Sequence, residues 1–395
     1  MKSVPPYDPL SSSPDPGPPP PPVDPDQAAR LARLPVALVH DWLWQMRGGE
    51  WVLSELLRLF PAADIHTLFY RPESLQPDIN ARAIHASPLN RLPGLHRYYR
   101  HLLPLLPGVV ERLRIPPGRR LVLALSHCVA HGVHAPEGAV HVNYYLSPMR
   151  YLYDQQQAYV RYGGCATRLL ARVAPRLRRW DRRVARRAHA LWAISRYVAD
   201  RVEQAYGRRP HVIYPPVRTG WFRPDPRSAA RKEEFLIVSA LVPYKRVDLA
   251  VQVANRLRMP LRIIGDGPLR RHLQRQAGDS VLFEGWVDED RLRHLYRTRR
   301  GLIFPACEDF GLAPLEAMAC GMPVLALRAG GALETVPERF GNRLFDRQHP
   351  DDLAEAWRAF AESSPNAASL PSLAERFNPS RFLADVARHL LDLLH

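Results

Sequence analysis

The sequence predicts an α/β protein made of two parallel-sheet domains, and three observations carry that expectation. Short apolar runs alternate with helix-patterned segments along most of the 395 residues. The alternation breaks once, at Tyr214-Pro215-Pro216-Val217 and the polar stretch 218–234, and then resumes. In the second half, Glu308-Asp309-Phe310-Gly311-Leu312-Ala313-Pro314-Leu315-Glu316 sets two carboxylates eight positions apart, between an apolar run and a helix-like segment. Strand–loop–helix units of this kind take ligands at the strand's carboxyl end and the helix's amino end.

Taken in order, residues 1–33 read as a disordered tail, since proline and serine at this density cannot bury a core. The stretch has no apolar h-region and does not read as a signal peptide. A first strand is expected at 34–39. His40-Asp41-Trp42-Leu43 and Arg47-Gly48-Gly49-Glu50 follow, then a helical pattern through Val52, Leu53, Leu56, Leu57 and Phe60. Glycines at Gly48 and Gly49 would let backbone approach a ligand closely. Further strands are expected at 121–125, 140–145 and 190–194, which places a first domain at 34–210. The second, 211–376, reads as strand 235–239, helix 246–257, strand 261–265, helix 268–277, strand 281–285, helix 289–297, and then the unit around Glu308. The last segment, 377–394, reads as a helix that joins the first domain.

Charge narrows the partners. The formal net charge is +16, which implies an acidic partner. Ten arginines fall between residues 161 and 187, interleaved at helical spacing with Leu169, Leu170, Val173, Leu177, Trp180 and Val184. A basic amphipathic pattern suits an anionic membrane surface, the alternative being solvated arginine on helices packed against the core. No recognition motif accompanies it, so nucleic acid is not an expected partner. No apolar run reaches the roughly 18–20 residues needed to cross a bilayer. The four cysteines show no C-x-x-C pairing and read as reduced thiols in the cytoplasm.

The motifs resemble glycosyltransferase family 4, of the mannosyltransferase-like type. Glu308 and Glu316 match its E-x7-E motif. The supporting stretches are His40-Asp41-Trp42-Leu43 with Gly48-Gly49-Glu50, Ser147-Pro148-Met149-Arg150-Tyr151, Tyr214-Pro215-Pro216-Val217, Val242 to Asp248, Gly265-Asp266-Gly267-Pro268 and Gly330 to Glu334. The resemblance spans about 35–385 and implies the GT-B fold, two Rossmann-like domains facing across a cleft.

A sugar nucleotide is a diphosphate between two polyols, and each part requires its own chemistry. Backbone N–H groups at Phe310, Gly311 and Leu312, with Lys245 and Arg246 as cations, suit the diphosphate. Glu308 would accept hydroxyls of the transferred sugar and Glu316 the ribose hydroxyls. The resemblance implies that Glu334 helps to position the donor and that His127, at a strand end, meets the transferred sugar. Arg150 and Tyr151 would bind an acceptor phosphate. Two positions depart from the family pattern: Ala240, where many relatives have arginine, and Leu146, where many have histidine. Asp288-Glu289-Asp290 reads as a helix cap, and no metal or other cofactor is expected.

The expected function is therefore a retaining transferase. It moves a hexose, mannose from GDP-mannose foremost, onto a lipid-linked glycan for exopolysaccharide or O-antigen, at the inner face of the cell membrane. The alternative is a non-catalytic, membrane-docked subunit that binds a sugar nucleotide. A nicotinamide-dependent oxidoreductase is disfavoured, since Gly265-Asp266-Gly267-Pro268 is not G-x-G-x-x-G.

Overall fold

Val36–His40 (β1) is an interior strand, third in a seven-stranded sheet, and all five of its residues are buried. The computed structural model describes residues 23–149, 152–153, 165–227 and 231–394. The other strands of this sheet are β2 (Asp64–Thr67), β3 (Ile84–Ala86), β4 (Leu121–Ser126), β5 (Val140–Tyr145), β6 (Ala190–Ala193) and β7 (His211–Val212). They run in the order β3-β2-β1-β4-β5-β6-β7, and every pairing is parallel. Parallel strands covered on both faces favour unbroken apolar runs, as Leu121–Leu125 illustrates.

β2 and β3, two of the strands that the sequence reading missed, lie on one edge of the sheet. Asp64-Ile65-His66-Thr67 is too polar to read as a buried strand. It is buried because the Arg119 guanidinium donates to both Asp64 oxygens, at 3.0 and 2.9 Å. That pairing, together with the His66 hydrogen bond, holds the Asp64 carboxyl well below the usual range.

The described residues pack as two compact units, one from residues between 23 and 216 with 379–394, the other from residues between 217 and 378. The division falls at Pro216, six residues beyond the expected boundary, and the helix Pro379–Leu394 belongs with the first unit. Part of the expected tail is helical: Pro25–Ala32 (α1) starts with proline at its first turn and buries Leu31. Asp24 caps it by accepting the Asp26 N–H, which is the role aspartate takes at a helix start.

The second unit has a six-stranded parallel sheet of β8 (Lys232–Val238), β9 (Leu261–Ile264), β10 (Val281–Gly285), β11 (Arg299–Phe304), β12 (Val324–Leu327) and β13 (Arg343–Phe345), in the order β10-β9-β8-β11-β12-β13. Its core gathers Phe235, Ile237, Ile263, Ile303 and Leu325 from the strands. Leu353, Trp357 and Phe360 join them from a helix, Pro350–Glu362, that the sequence reading passed over.

The arginine-rich segment contains a helix, Cys165–Ala185. Ala174, Leu177, Trp180 and Val184 are buried in the first unit's own core. Arg176, Arg179, Arg182 and Arg183 stand on its exposed face, and Arg186 is exposed just past its end. The apolar stripe is thus used in packing, and the exposed face of this described part of the helix is mostly arginine. Among the described residues no helix is long and apolar enough to cross a membrane.

Candidate functional site

In the second unit the site is a set of turns at the carboxyl ends of β8, β11 and β12. After β11 the chain runs through Glu308 to Gly311, whose φ of 97° opens the helix Leu312–Ala319 from the left-handed region; glycine adopts that conformation without a Cβ penalty. The helix's first N–H groups therefore follow the carboxylate directly, as expected. The loop is pinned by its neighbour after β12. The Gly331 N–H donates to the Glu308 carbonyl at 2.8 Å. A Cβ on Gly331 would lie 2.4 Å from Phe310 Cα and 2.6 Å from its carbonyl oxygen. The Phe310 ring is buried and meets Phe377 edge-on.

Glu308 is 9% exposed, and its Oε1 is ion-paired with Lys245 Nζ. The residues foreseen for the transferred sugar and for the adjoining diphosphate therefore touch each other. Lys245 ends a single 3-10 turn, Pro243–Lys245, after β8. Arg246, expected beside it as a second cation, is turned elsewhere. Its Nε lies 3.3 Å from both Asp248 oxygens and its Nη1 donates to Gln348 at 3.3 Å.

Glu316 sits on the second turn of its helix and accepts from the Tyr296 hydroxyl at 3.3 Å. Burial pushes its carboxyl up to about 7, against the pull of nearby Arg218 and the Tyr296 bond. Arg218 is itself clamped by Glu289, at 2.9 and 2.6 Å. Tyr296 and Arg218 were not foreseen, because nothing in their local sequence points to a glutamate on another helix. Glu334 lies partly buried in a one-turn helix, Ala332–Thr335, where its backbone N–H donates to Gly331.

In the first unit, His127 follows β4 and is organised by a residue given no role above. Asp41, fully buried after β1, accepts four consecutive backbone N–H groups. Its Oδ2 takes those of His127 (2.7 Å) and Cys128 (2.9 Å), and its Oδ1 those of Val129 (2.6 Å) and Ala130 (2.8 Å). His127 Nδ1 lies 3.1 Å from Asp41 Oδ2. The far end of this loop is fastened by buried His131. Its Nδ1 is 3.0 Å from Ser126 Oγ and its Nε2 is 2.9 Å from Asp181 Oδ1, while Tyr153 donates to Asp181 Oδ2 at 2.7 Å.

Gly48 and Gly49 start the helix Gly48–Leu59. The close approach that Gly49 permits is to this unit's own side chains: a Cβ there would lie 2.8 Å from Leu146 Cδ1 and 3.0 Å from His40 Nε2. His40 Nδ1 donates to the Trp42 carbonyl at 2.9 Å, and burial, reinforced by neighbouring His127, lowers its imidazole to about 4. Arg150 and Tyr151 lie outside the described residues.

Among the described residues, the fold gathers one group with the chemistry of metal ligands. Asp64 Oδ2 lies 3.1 Å from His66 Nε2 and 3.7 Å from His85 Nε2, on adjacent edge strands. Arg119 already engages both Asp64 oxygens, so the cluster is accounted for as an ion pair with a stacked histidine pair.

Residues 222–377 match the family model described as glycosyl transferases group 1. Over 204 residues the chain is 32% identical to a GDP-mannose-dependent alpha-(1-6)-phosphatidylinositol monomannoside mannosyltransferase of Mycolicibacterium smegmatis, covering 44% of this chain and 53% of that one. It is 32% identical over 196 residues to a D-inositol 3-phosphate glycosyltransferase of Acidothermus cellulolyticus, covering 42% and 43%. The chain thus spans about half the length of the curated relatives it matches. Among solved structures, Anabaena Alr3699/HepE in complex with UDP superposes with a TM-score of 0.65 at 17% identity, over 91% of this chain and all of that one. Sucrose-phosphate synthase of Thermosynechococcus elongatus does so with the same TM-score, identity and coverage. The fold is that of these enzymes, with two Rossmann-like units of GT-B type. Over residues 222–377, the chain carries a domain of the glycosyl transferases group 1 family.

Proposed function

We propose that the protein is a retaining glycosyltransferase that takes a hexose, foremost mannose from GDP-mannose, and passes it to a lipid-linked glycan. The observation that carries this reading is the Lys245–Glu308 pair at strand ends, followed directly by a glycine-opened helix start and then Glu316. A cation and a row of N–H groups fit a diphosphate. Glu308 would turn to the sugar hydroxyls as Lys245 turns to phosphate, and Glu316 would accept from the ribose. Lys245 and the helix start would answer the leaving group's charge without a metal ion. His127 would contact the transferred sugar. No side chain is assigned as general base. Front-face displacement would use the departing diphosphate to take the acceptor proton, with catalysis resting on positioning and charge stabilisation. The GDP-mannose-dependent relative supports that donor, and the exposed arginines of 176–186 support an anionic acceptor surface at the membrane.

The test is calorimetry with GDP-mannose, UDP-glucose, UDP-N-acetylglucosamine and dTDP-rhamnose, followed by a transfer and donor-hydrolysis assay with the tightest binder. Micromolar binding of GDP-mannose with turnover is expected. Binding without either reaction would leave a non-catalytic sugar-nucleotide-binding subunit. Binding of none would end the reading.

A further inference from the structure

We propose that Asp41 is a positioning residue that fixes His127 as the Nδ1–H tautomer, so that Nε2 carries the lone pair and accepts a hydroxyl of the transferred sugar. The inference rests on the reading above for its ligand, and on geometry within the first unit for the rest.

The carboxylate of Asp41 has no exposure to solvent. A buried charge is tolerated only where hydrogen-bond donors surround it. Among the described residues one short segment supplies five donors to it, the N–H groups of residues 127–130 and the His127 ring. An ionised carboxylate only accepts. The nitrogen facing it, Nδ1, must therefore carry a proton, which in the neutral ring leaves the lone pair on Nε2. The same carboxylate fixes the backbone that bears the ring, so position and tautomer have one cause. Trp42, the next residue after Asp41, packs edge-on against the His127 ring at 4.5 Å and limits its rotation. His127 nevertheless keeps 29% of its side chain exposed, enough for a ligand hydroxyl to reach it. The other titratable ring nearby, His40, has its own Nδ1 committed to the Trp42 carbonyl. A pair made only for packing would need neither the ring nitrogen aimed at the carboxylate nor a partly exposed imidazole.

Histidine nitrogen NMR on the full chain tests the tautomer without any assay of activity. A proton-bearing Nδ1 and a lone-pair Nε2 are expected for His127 at pH 7.5, with the signal assigned by its loss in His127→Gln. An Nε2–H tautomer or a doubly protonated ring would overturn the proposal. Asp41→Asn places an amide N–H₂ or a carbonyl opposite Nδ1. With the amide there, the ring should invert to Nε2–H, and transfer should fall about 100-fold with KM for the donor changed less than threefold. A double-mutant cycle with His127→Ala separates positioning from folding. If Asp41 acts through His127, Asp41→Asn adds less than a threefold loss in that background. An undiminished loss there would overturn the proposal. Should the wild-type protein show no transfer at all, the proposed function fails while the tautomer measurement still decides this inference.

Discussion

Glu308 and His127 both stand at the carboxyl end of a parallel sheet, but they are held in different ways. Glu308 is paired with Lys245, and the backbone around it is pinned by Gly331, two turns that any βα unit places side by side. Its partner is a mobile-stemmed cation with some solvent access, at 17% exposure. His127 is backed by a fully buried anion fixed by four backbone N–H groups. One arrangement can exchange an internal partner for a ligand, since a single flexible lysine has to move. The other is preorganised and cannot relax without unmaking its loop. The second unit thus has the character of a charged grip and the first that of a fixed template.

The sharpest way to break the grip is Glu308→Gln. It keeps the shape and removes the charge, and transfer should fall about 10²- to 10³-fold with little loss of stability, read from kcat/KM and thermal denaturation. Transfer at wild-type rates would remove Glu308 from the chemistry. Next in size is Gly331→Ala. The new methyl would meet Phe310 backbone rather than a movable side chain, so chemical denaturation should show the second unit weakened by roughly 2–3 kcal/mol.

Gly49→Ala is the matching change in the first unit, and it should cost less, about 1–2 kcal/mol, because the Leu146 side chain it meets can give way. Leu146→Ala should recover part of that loss; a cost unchanged by the second substitution would show that Leu146 does not set the fit.

The smallest effect separates the units by pH. Glu316 in the second unit and Glu50 in the first are both raised to about 7, each mainly by burial. A carboxyl raised in the folded state binds its proton more tightly there than when unfolded. The stability it contributes is fully present below about pH 4.5 and is lost as pH rises through about 7. Glu316→Gln and Glu50→Gln should each flatten the fall in stability between those values. Each should also gain on the order of 1 kcal/mol at pH 8. A pH profile unchanged by either substitution would mean that its carboxyl is already ionised at neutral pH.

Local sequence was enough for the unit around Glu308 because its signals are contiguous. An apolar strand, a glycine that can take positive φ and an apolar-flanked helix follow one another within Gly301–Ala319, and backbone preference alone orders them. The same logic located β1, β4, β5 and β8 to within a few residues. It failed for β2, whose buried Asp64 is neutralised by Arg119, far along the chain, and in turn partners His66. It also left the arginine-rich helix between two readings, since a helical apolar pattern has the same period whether its stripe faces lipid or the protein's own core.

What the sequence determined by itself was the alternation of strands and helices, the break between two units, and the order of charged groups around Glu308. These depend on periodicity and on neighbours within a turn or two. The tertiary structure alone decided which charges became partners. Asp41 meets a loop more than eighty residues away, Gly49 is needed by Leu146, and Tyr296 reaches Glu316 from another helix. The physical reason is that a buried polar group must find its partner in space, and the sheet, by bringing distant strand ends to one edge, supplies partners that chain order does not record.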